Sequence, residues 1–407
     1  MNFKSWPASL KALGHRNFRI YFSGQLVSLV GTWMQNVAMS WLAYRIGHLV
    51  WLLGAITFFQ QIPMLVLAPF TGVLLDRIDR LRLLRVTQSL SIIPALLAAI
   101  LTFMGHVQVW QLMVLAGCLG LINAVDVPAR QSLIVGLIAD REALPNAIAM
   151  NSLAVNSARL VGPAIAGLVV ALIGEAMCFL LNAISYLAVV LALFRVRMER
   201  ASPAHPPGTG GIREGWAYAA HRGSIRTLLL LVAVASLLVQ PYTVVMPYYA
   251  RDVFGGDSRT LGVLLACSGA GALCASAFLL TRPHIHALVQ TVRWSAVLAS
   301  LAAMAFSHSH VLGLSCLLLI ATGFGMIATA AACNTLIQSI VPDALRGRVM
   351  ALYSASFIGV APVGSLLVSS TAQRVGVPDT LLGCGLIAAA LSLALGRGLR
   401  HVRADLP

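Results

Sequence analysis

The sequence predicts an all-α membrane protein with twelve transmembrane helices, arranged as two six-helix pseudo-repeats around a central cavity. Apolar residues make up 59% of its 407 residues, and charged residues make up only 10%. A typical soluble domain has about 25% charged residues, so this chain could not cover a water-facing surface. The apolar residues also fall into stretches near the ~20 residues that a helix needs to cross a bilayer.

Twelve apolar stretches are the predicted membrane helices. The first six are 20–46, 49–75, 83–104, 108–132, 144–173 and 176–196. The second six are 226–249, 260–281, 289–308, 311–340, 345–370 and 379–399.

A linker at 198–224 separates the two halves. It contains three prolines and a Gly-Thr-Gly-Gly run, a composition typical of flexible connections. We therefore predict an N-terminal half at 1–197 and a C-terminal half at 225–407. The end of the linker is predicted to form a short surface helix, with Trp216 and Tyr218 at the membrane interface.

Basic residues are concentrated in alternate loops. They stand before the first helix, between the second and third, in the linker and after the last helix. Cytoplasmic loops carry such an excess of Lys and Arg, so we predict an inner-membrane protein with both termini in the cytoplasm. The net charge of +15 has the same origin, and no nucleic-acid partner is expected.

Several kinds of cofactor site are excluded by the residues present. The only lysines are Lys4 and Lys11, so the chain lacks the internal lysine of an ATP-binding phosphate loop or a Schiff base. The seven cysteines lie inside apolar stretches and are predicted to be buried hydrophobic residues. The His-x-His pairs at 284–286 and 308–310 lack further ligands, so we predict no metal site.

One loop signature resembles that of the major facilitator superfamily, G-x-L-x-D-R-x-G-R-R. The chain reads Gly72-Val-Leu-Leu-Asp76-Arg77-Ile-Asp-Arg80-Leu-Arg82 between the second and third helices. Asp79 stands in place of the second glycine, and Leu81 interrupts the arginine pair. Two further stretches, Asp126–Arg130 and Pro342–Val349, resemble the macrolide-efflux and enterobactin-exporter-like branch of that superfamily. The resemblance covers the whole chain.

The resemblance implies a gate at the cytoplasmic side. Its predicted residues are Gly72, Asp76, Arg77, Arg80, Arg82, Asp126 and Arg130. The alternative is a solvated loop whose positive charge only fixes the topology.

Asp126 is the only carboxylate that we place inside an apolar stretch, where a charge is costly and usually functional. Two interpretations stay open. Asp126 carries protons, or it is ion-paired within the gate to Arg130, Arg80 or Arg159. Its place near the cytoplasmic end of the fourth helix favours the gate.

The fifth helix resembles the antiporter signature of the superfamily, G-x-x-x-G-P-x-x-G-G. Ala158 and Ala166 replace two of its glycines. The matching residues are Arg159, Gly162, Pro163 and Gly167. The signature implies export by antiport. Arg159 either attracts an anionic group of the substrate or pairs with Asp126.

Polar residues on the first, fourth, seventh and tenth helices are predicted to line the cavity, because these helices do so in the superfamily. They are Gln25, Thr32, Gln35, Asn36, Asn123, Gln240, Tyr242, Asn334 and Gln338. Lipid cannot satisfy such groups, so the alternative for each is a hydrogen bond to a neighbouring helix.

These observations predict a secondary active exporter of a medium-sized amphipathic molecule, of the siderophore or drug class. It would work by alternating access and proton-driven antiport, with the proton gradient in place of a cofactor. The alternatives are proton-coupled uptake and a non-transporting scaffold. A single Asp does not form an acid–base pair, so no enzyme is expected. The predicted partners are the substrate and the lipid bilayer, and the chain is expected to be a monomer.

Overall fold

The computed structural model describes residues 8–138, 140, 142–196, 212–282 and 284–405. The side chains of residues 8, 9, 68–70, 72–77, 212–214, 344, 403 and 404 lie outside this description. The described residues are almost entirely helical. They form two compact units, one from Met1–Ile46 and Phe59–His205 and the other from Gly47–Phe58 and Pro206–Pro407.

The first unit contains five long helices and most of a sixth. After a 3-10 helix at Ala8–Gly14 come α1 (Arg16–Gly47), α2 (Val50–Arg77), α3 (Arg80–Phe103), α4 (Val109–Leu137), α5 (Leu144–Ile173) and α6 (Glu175–Arg195). The opening turns of α2 belong to the second unit.

After α6 the second unit continues with α7 (Ile212–His221), where Trp216 is exposed, and the place of this helix at the membrane surface stays a prediction. Its other helices are α8 (Gly223–Val234), α9 (Met246–Tyr248), α10 (Ser258–Leu280), α11 (Ile285–Ser307), α12 (Leu312–Ile340), α13 (Asp343–Ser354), α14 (Ala361–Val375), α15 (Val377–Gly396) and α16 (Leu399–Ala404). The predicted linker residues 198–211 lie outside the described residues, and the domain boundaries stay a prediction.

Eleven helical segments in the described part of the chain are long and apolar enough to cross a membrane. They correspond to every predicted stretch except the first. Helix α1 has 32 residues, which is ample length for a crossing. It does not meet the hydropathy criterion because polar residues, including Gln25, Gln35 and Asn36, run along it.

The predicted helix at 226–249 is not one regular helix. Its α-helical part ends at Val234, and a π-helical turn at Ala235–Val239 and a 3-10 turn at Gln240–Thr243 follow. Pro241 and Pro247 lack the backbone N–H that a regular helix needs, so the hydrogen-bond pattern changes around them. A π-helical turn at Ala355–Gly359 precedes a proline in the same way.

Glycines permit backbone contact between helices in both units. A Cβ on Gly271 of α10 would lie 2.0 Å from the carbonyl oxygen of Ile320 in α12. A Cβ on Gly323 of α12 would lie 2.1 Å from the carbonyl oxygen of Ser268 in α10. In the first unit a Cβ on Gly120 would lie 2.3 Å from the carbonyl oxygen of Gln60. Small residues at such crossings let membrane helices gain dispersion contacts.

The C-terminal helix is held to α8 by one carboxylate. Asp405 accepts hydrogen bonds from the guanidinium of Arg222, at 3.1 and 3.3 Å, and from the hydroxyl of Ser224, at 2.6 Å. The hydrogen bonds from Arg222 and Ser224 hold the pKa of the Asp405 carboxyl below its usual range. The contact is therefore present at neutral pH and is lost only as the pH falls through this lowered pKa.

We expect Gly271→Ala to destabilise the second unit, because the new methyl group would overlap the backbone of α12. Overpacking of this kind typically costs about 1–3 kcal/mol. The melting temperature of the purified protein in detergent should fall by several degrees. Gly383→Ala in α15 is the matched control, since a Cβ there meets no heavy atom within 4 Å. Equal melting temperatures for the two variants would contradict this packing.

Candidate functional site

A buried carboxylate is the most unusual group in the first unit. Helix α4 places Asp126 with only 1% of its surface exposed. Its Oδ1 atom accepts hydrogen bonds from the Thr87 hydroxyl at 2.7 Å and from the Gln88 amide at 2.8 Å, both in α3. A carboxylate is costly in an apolar interior unless it is hydrogen-bonded and paired with a positive charge. The two α3 donors meet the first requirement.

The positive charge comes from the same helix. Arg130 lies one turn after Asp126, and its Nε atom is 2.7 Å from Asp126 Oδ2. Oδ2 makes no aligned hydrogen bond to a described group, so the attraction is mainly that of two opposite charges at short range. The Arg130 side chain is 21% exposed. Of the three predicted arginine partners, Arg130 is the one that the structure shows in contact with Asp126.

The structure describes only part of the predicted gate loop. The side chains of Asp76 and Arg77, and the surroundings of Gly72, lie outside the described part of the chain. The carboxylate of Asp79 accepts backbone N–H bonds from Leu81 at 2.8 Å and Arg82 at 3.2 Å. Asp is a favoured residue at this N-cap position, which gives the departure from the family glycine a structural reason.

Arg80 joins two helices of the first unit. Its Nη1 atom donates a hydrogen bond to the carbonyl oxygen of Ser132, at 3.4 Å, two residues beyond Arg130 on α4. The beginning of α3 is therefore connected to the same helix segment that carries the Asp126–Arg130 pair.

The antiporter-like stretch of α5 packs closely on α1. A Cβ on Gly162 would lie 2.5 Å from Cβ of Trp33, so this position requires glycine. The guanidinium of Arg159 lies 5.3 Å from the centre of the Trp33 ring, within the range of a cation–π contact. Pro163 and Gly167 are buried in the same helix, and so are the two alanines that replace family glycines.

The polar residues of α1 make hydrogen bonds to neighbouring helices. The Asn182 amide donates to Gln35 at 2.7 Å, and the Gln60 amide donates to Asn36 at 3.0 Å. The hydroxyl groups of Thr32 and Tyr186 are 3.4 Å apart. These contacts correspond to the alternative that the sequence left open.

Gln25 completes the row on α1. It is buried, and its Oε1 atom has no hydrogen-bond partner among the described residues. That a substrate contacts any residue of this row stays a prediction.

The other predicted cavity residues are placed as follows. Asn123 on α4 and Gln240 in the second unit are half-buried. The buried Tyr242 hydroxyl is hydrogen-bonded to Ser268. Gln338 donates to Asn334 one turn earlier on α12. Both amide groups thus contact each other along one helix face, and their contact with a substrate stays a prediction.

Sequence reasoning missed the two α3 partners of Asp126 and the α6 partner of Gln35. Thr87 and Gln88 are adjacent polar residues inside the apolar stretch 83–104, and Asn182 lies inside 176–196. Polar groups in apolar stretches need internal partners. This argument singled out Asp126, and it applies equally to Thr87, Gln88 and Asn182. It would have found these residues but not which of them pair.

We expect Arg130→Gln to destabilise the protein more than the double variant Asp126→Asn/Arg130→Gln. The single change leaves a buried carboxylate without a positive charge, which typically costs about 3–5 kcal/mol. The double change removes both charges and keeps the hydrogen-bonding groups. Thermal unfolding of the four proteins of this cycle in detergent measures the difference.

The exposed ion pair of Lys11 with Glu142 gives the control, and Lys11→Gln should change the melting temperature little. If Arg130→Gln is no more destabilising than the double variant, Asp126 is not held by this pair.

Comparison with known proteins identifies the family. The model of the transmembrane secretion effector family matches residues 7–406. The staphyloferrin A transporter of Staphylococcus aureus is 27% identical, over 89% of this chain and 91% of its own length. The multidrug efflux pump Tap of Mycolicibacterium fortuitum is 25% identical, over 89% and 90%. The enterobactin exporter EntS of Shigella flexneri is 25% identical, over 90% and 88%.

Solved structures show the same fold. A bacterial homologue of the human lysosomal transporter spinster, in an inward-facing conformation, has a TM-score of 0.73 at 14% identity, over 96% of this chain and 98% of its own. An inward-facing bacterial homologue of the iron transporter ferroportin has a TM-score of 0.69 at 18% identity, over 94% and 98%. With a family model that matches nearly its whole length, the chain belongs to the transmembrane secretion effector family of the major facilitator superfamily, and it is a multi-pass membrane transporter rather than an enzyme.

Proposed function

We propose that this transporter is a secondary active exporter, driven by the proton gradient, of a medium-sized amphipathic molecule. The observation that carries the proposal is its similarity, over about nine-tenths of the chain, to proteins named as a multidrug efflux pump and an enterobactin exporter. The antiporter-like stretch of α5, with Gly162 packed on Trp33, supports export.

Siderophores and hydrophobic drugs are the two substrate classes that we propose. Two of the similar proteins are named for the siderophores staphyloferrin A and enterobactin, and others are named for multiple drugs. The half-buried Arg159 beside Trp33 combines a cation with an aromatic surface. Such a pair suits a ligand that carries both an anionic group and an apolar body.

The proton gradient is the proposed energy source. Lys4 and Lys11, the only lysines, both precede α1, so no lysine is available for an ATP-binding phosphate loop. We assign Asp126 to the gate rather than to proton transfer. Its three neighbours Thr87, Gln88 and Arg130 all present donors, which is the environment that a carboxylate needs. Arg80 connects the start of α3 to the same segment.

The proposed topology has twelve membrane helices in two halves that alternate access to a central cavity, with α1 as the twelfth. Burying its polar row against α2 and α6 gives α1 internal partners in place of water. Both termini would lie in the cytoplasm of a monomeric inner-membrane protein, because the basic residues are concentrated in that set of loops.

Reporter fusions test this topology. A fluorescent protein that folds only in the cytoplasm should be active at both termini, and a phosphatase that is active only in the periplasm should be inactive there. A periplasmic signal at one terminus alone would contradict an even number of crossings, and a periplasmic signal at both termini would contradict the predicted orientation.

Accumulation measurements test the direction of transport. Cells that express the protein should accumulate less siderophore or drug than cells without it, and a protonophore should abolish the difference. Greater accumulation in the expressing cells would instead establish uptake. An unchanged level for every compound, with the protein present in the membrane, would contradict export of these two classes.

Two variants in the same assay separate the gate from proton coupling. At equal membrane levels, Asp76→Asn should slow efflux if the loop gates the cytoplasmic side. Asp126→Asn should slow both proton-driven efflux and passive substrate exchange in vesicles, because a gate residue acts on both. Loss of proton-driven efflux with normal exchange would instead make Asp126 a proton carrier.

A further inference from the structure

Helices α11 and α15 form a groove at one end of their contact, with a volume of about 450 Å³. Farther along the pair, a Cβ on Gly385 would lie 3.1 Å from the carbonyl oxygen of Ser300. At the groove, a Cβ on Gly396 would meet only Cγ of Arg293, at 3.9 Å. The helices therefore run in opposite directions and separate toward this end, and the groove fills the gap.

Positive charge is concentrated in the groove. Arg293 comes from α11, and Arg397 and Arg400 follow the end of α15. All three side chains are exposed. No Asp or Glu lines the groove, and none of the three arginines forms an ion pair with a carboxylate in the described part of the chain.

The other end of the groove is apolar. Val297 lies one turn beyond Arg293 on α11, and Leu393 lies one turn before Arg397. Leu393 is 58% exposed, and the neighbouring Trp294 is 59% exposed. The Arg293 guanidinium is 5.7 Å from the centre of the Trp294 ring. Exposed Trp beside Arg is typical of the boundary between lipid and water, so the groove passes from a charged surface to a lipid-facing one.

We propose that this groove binds an anionic phospholipid, with its phosphate among the three arginines and an acyl chain along Val297 and Leu393. Arginine presents its N–H groups in a planar arrangement that matches phosphate oxygens. A soluble anion would leave the apolar end uncovered. A zwitterionic headgroup would bring a further positive charge to a site that already has three.

The larger cavity around Arg222, of about 730 Å³, differs in one respect. Its Arg222 is paired with Asp405, which also bonds Ser224, and of its two arginines only Arg226 forms no ion pair with a carboxylate in the described structure. The charge in the α11–α15 groove has no such partner, and this singles the groove out as the lipid site. The inference adds a ligand to the transporter and does not depend on the direction of transport.

Native mass spectrometry of the purified full-length protein tests the proposal. Wild-type protein in detergent, given equal amounts of phosphatidylglycerol and phosphatidylcholine, should retain more phosphatidylglycerol. Arg293→Gln/Arg400→Gln should reduce that preference by on the order of thirtyfold, since each basic residue at a membrane surface contributes about fivefold toward an anionic lipid. Inorganic phosphate at millimolar concentration should not displace the lipid.

Arg16→Gln/Arg19→Gln is the matched control, because it removes the same charge from two exposed residues of the first unit. It should retain phosphatidylglycerol as the wild type does, and each variant is first checked for an unchanged melting temperature. An equal loss in the control would show that net charge, and not the groove, attracts the lipid. Displacement by phosphate would identify a soluble-anion site. Wild-type protein without a lipid preference would overturn the proposal whatever the variants do.

Discussion

A polar side chain inside a bilayer has no water to bond with, so the protein itself must supply every partner. The Asp126 carboxylate is where this constraint is strongest, since it is almost fully buried and carries a charge. Two donors from α3 and one arginine from its own helix surround it. The same constraint pairs α1 with α2 through Asn36 and with α6 through Gln35. Polar contacts therefore specify which helices of the first unit are neighbours.

Apolar helices in lipid gain little from hydrophobic burial against each other, so close packing has to supply much of their attraction. Gly271 and Gly323 bring the backbones of α10 and α12 into contact. Gly162 lets the backbone of α5 approach the Trp33 side chain of α1. Within the helical segment Gly223–Val253, Pro241 and Pro247 interrupt the regular hydrogen bonds. The second unit thus combines close helix crossings with an irregular segment between α8 and α10.

Arginine has several distinct roles in this protein. Basic residues outnumber acidic ones by 28 to 13, so many cannot have a carboxylate partner. Arg130 neutralises a buried charge, Arg222 holds the C-terminal helix, and Arg80 bonds a backbone carbonyl. Those in the α11–α15 groove have no carboxylate partner in the described structure and lie next to the apolar surface that lipid would cover. We propose that the same basic composition orients the chain in the membrane and binds anionic lipid in this groove.

The sequence alone determined the helical fold, because hydropathy is a local property that each stretch carries by itself. Eleven predicted stretches proved long and apolar enough to span, and only α1 differed, because polar residues run along it. The family could be identified from the signature at 72–82, because a motif is also a local property of the sequence. The burial of Asp126 followed from its place inside an apolar stretch.

Only the tertiary structure decided which side chains meet. Asp126 and its α3 partners are 38 and 39 positions apart in the chain, and Gln35 and Asn182 are 147 apart. Arg293 and Arg400 share a groove although they belong to different helices. The spacing of residues fixes which of them lie on one face of a helix, but it does not specify which helix that face contacts. That choice depends on how all the helices pack at once, which no single stretch of sequence contains.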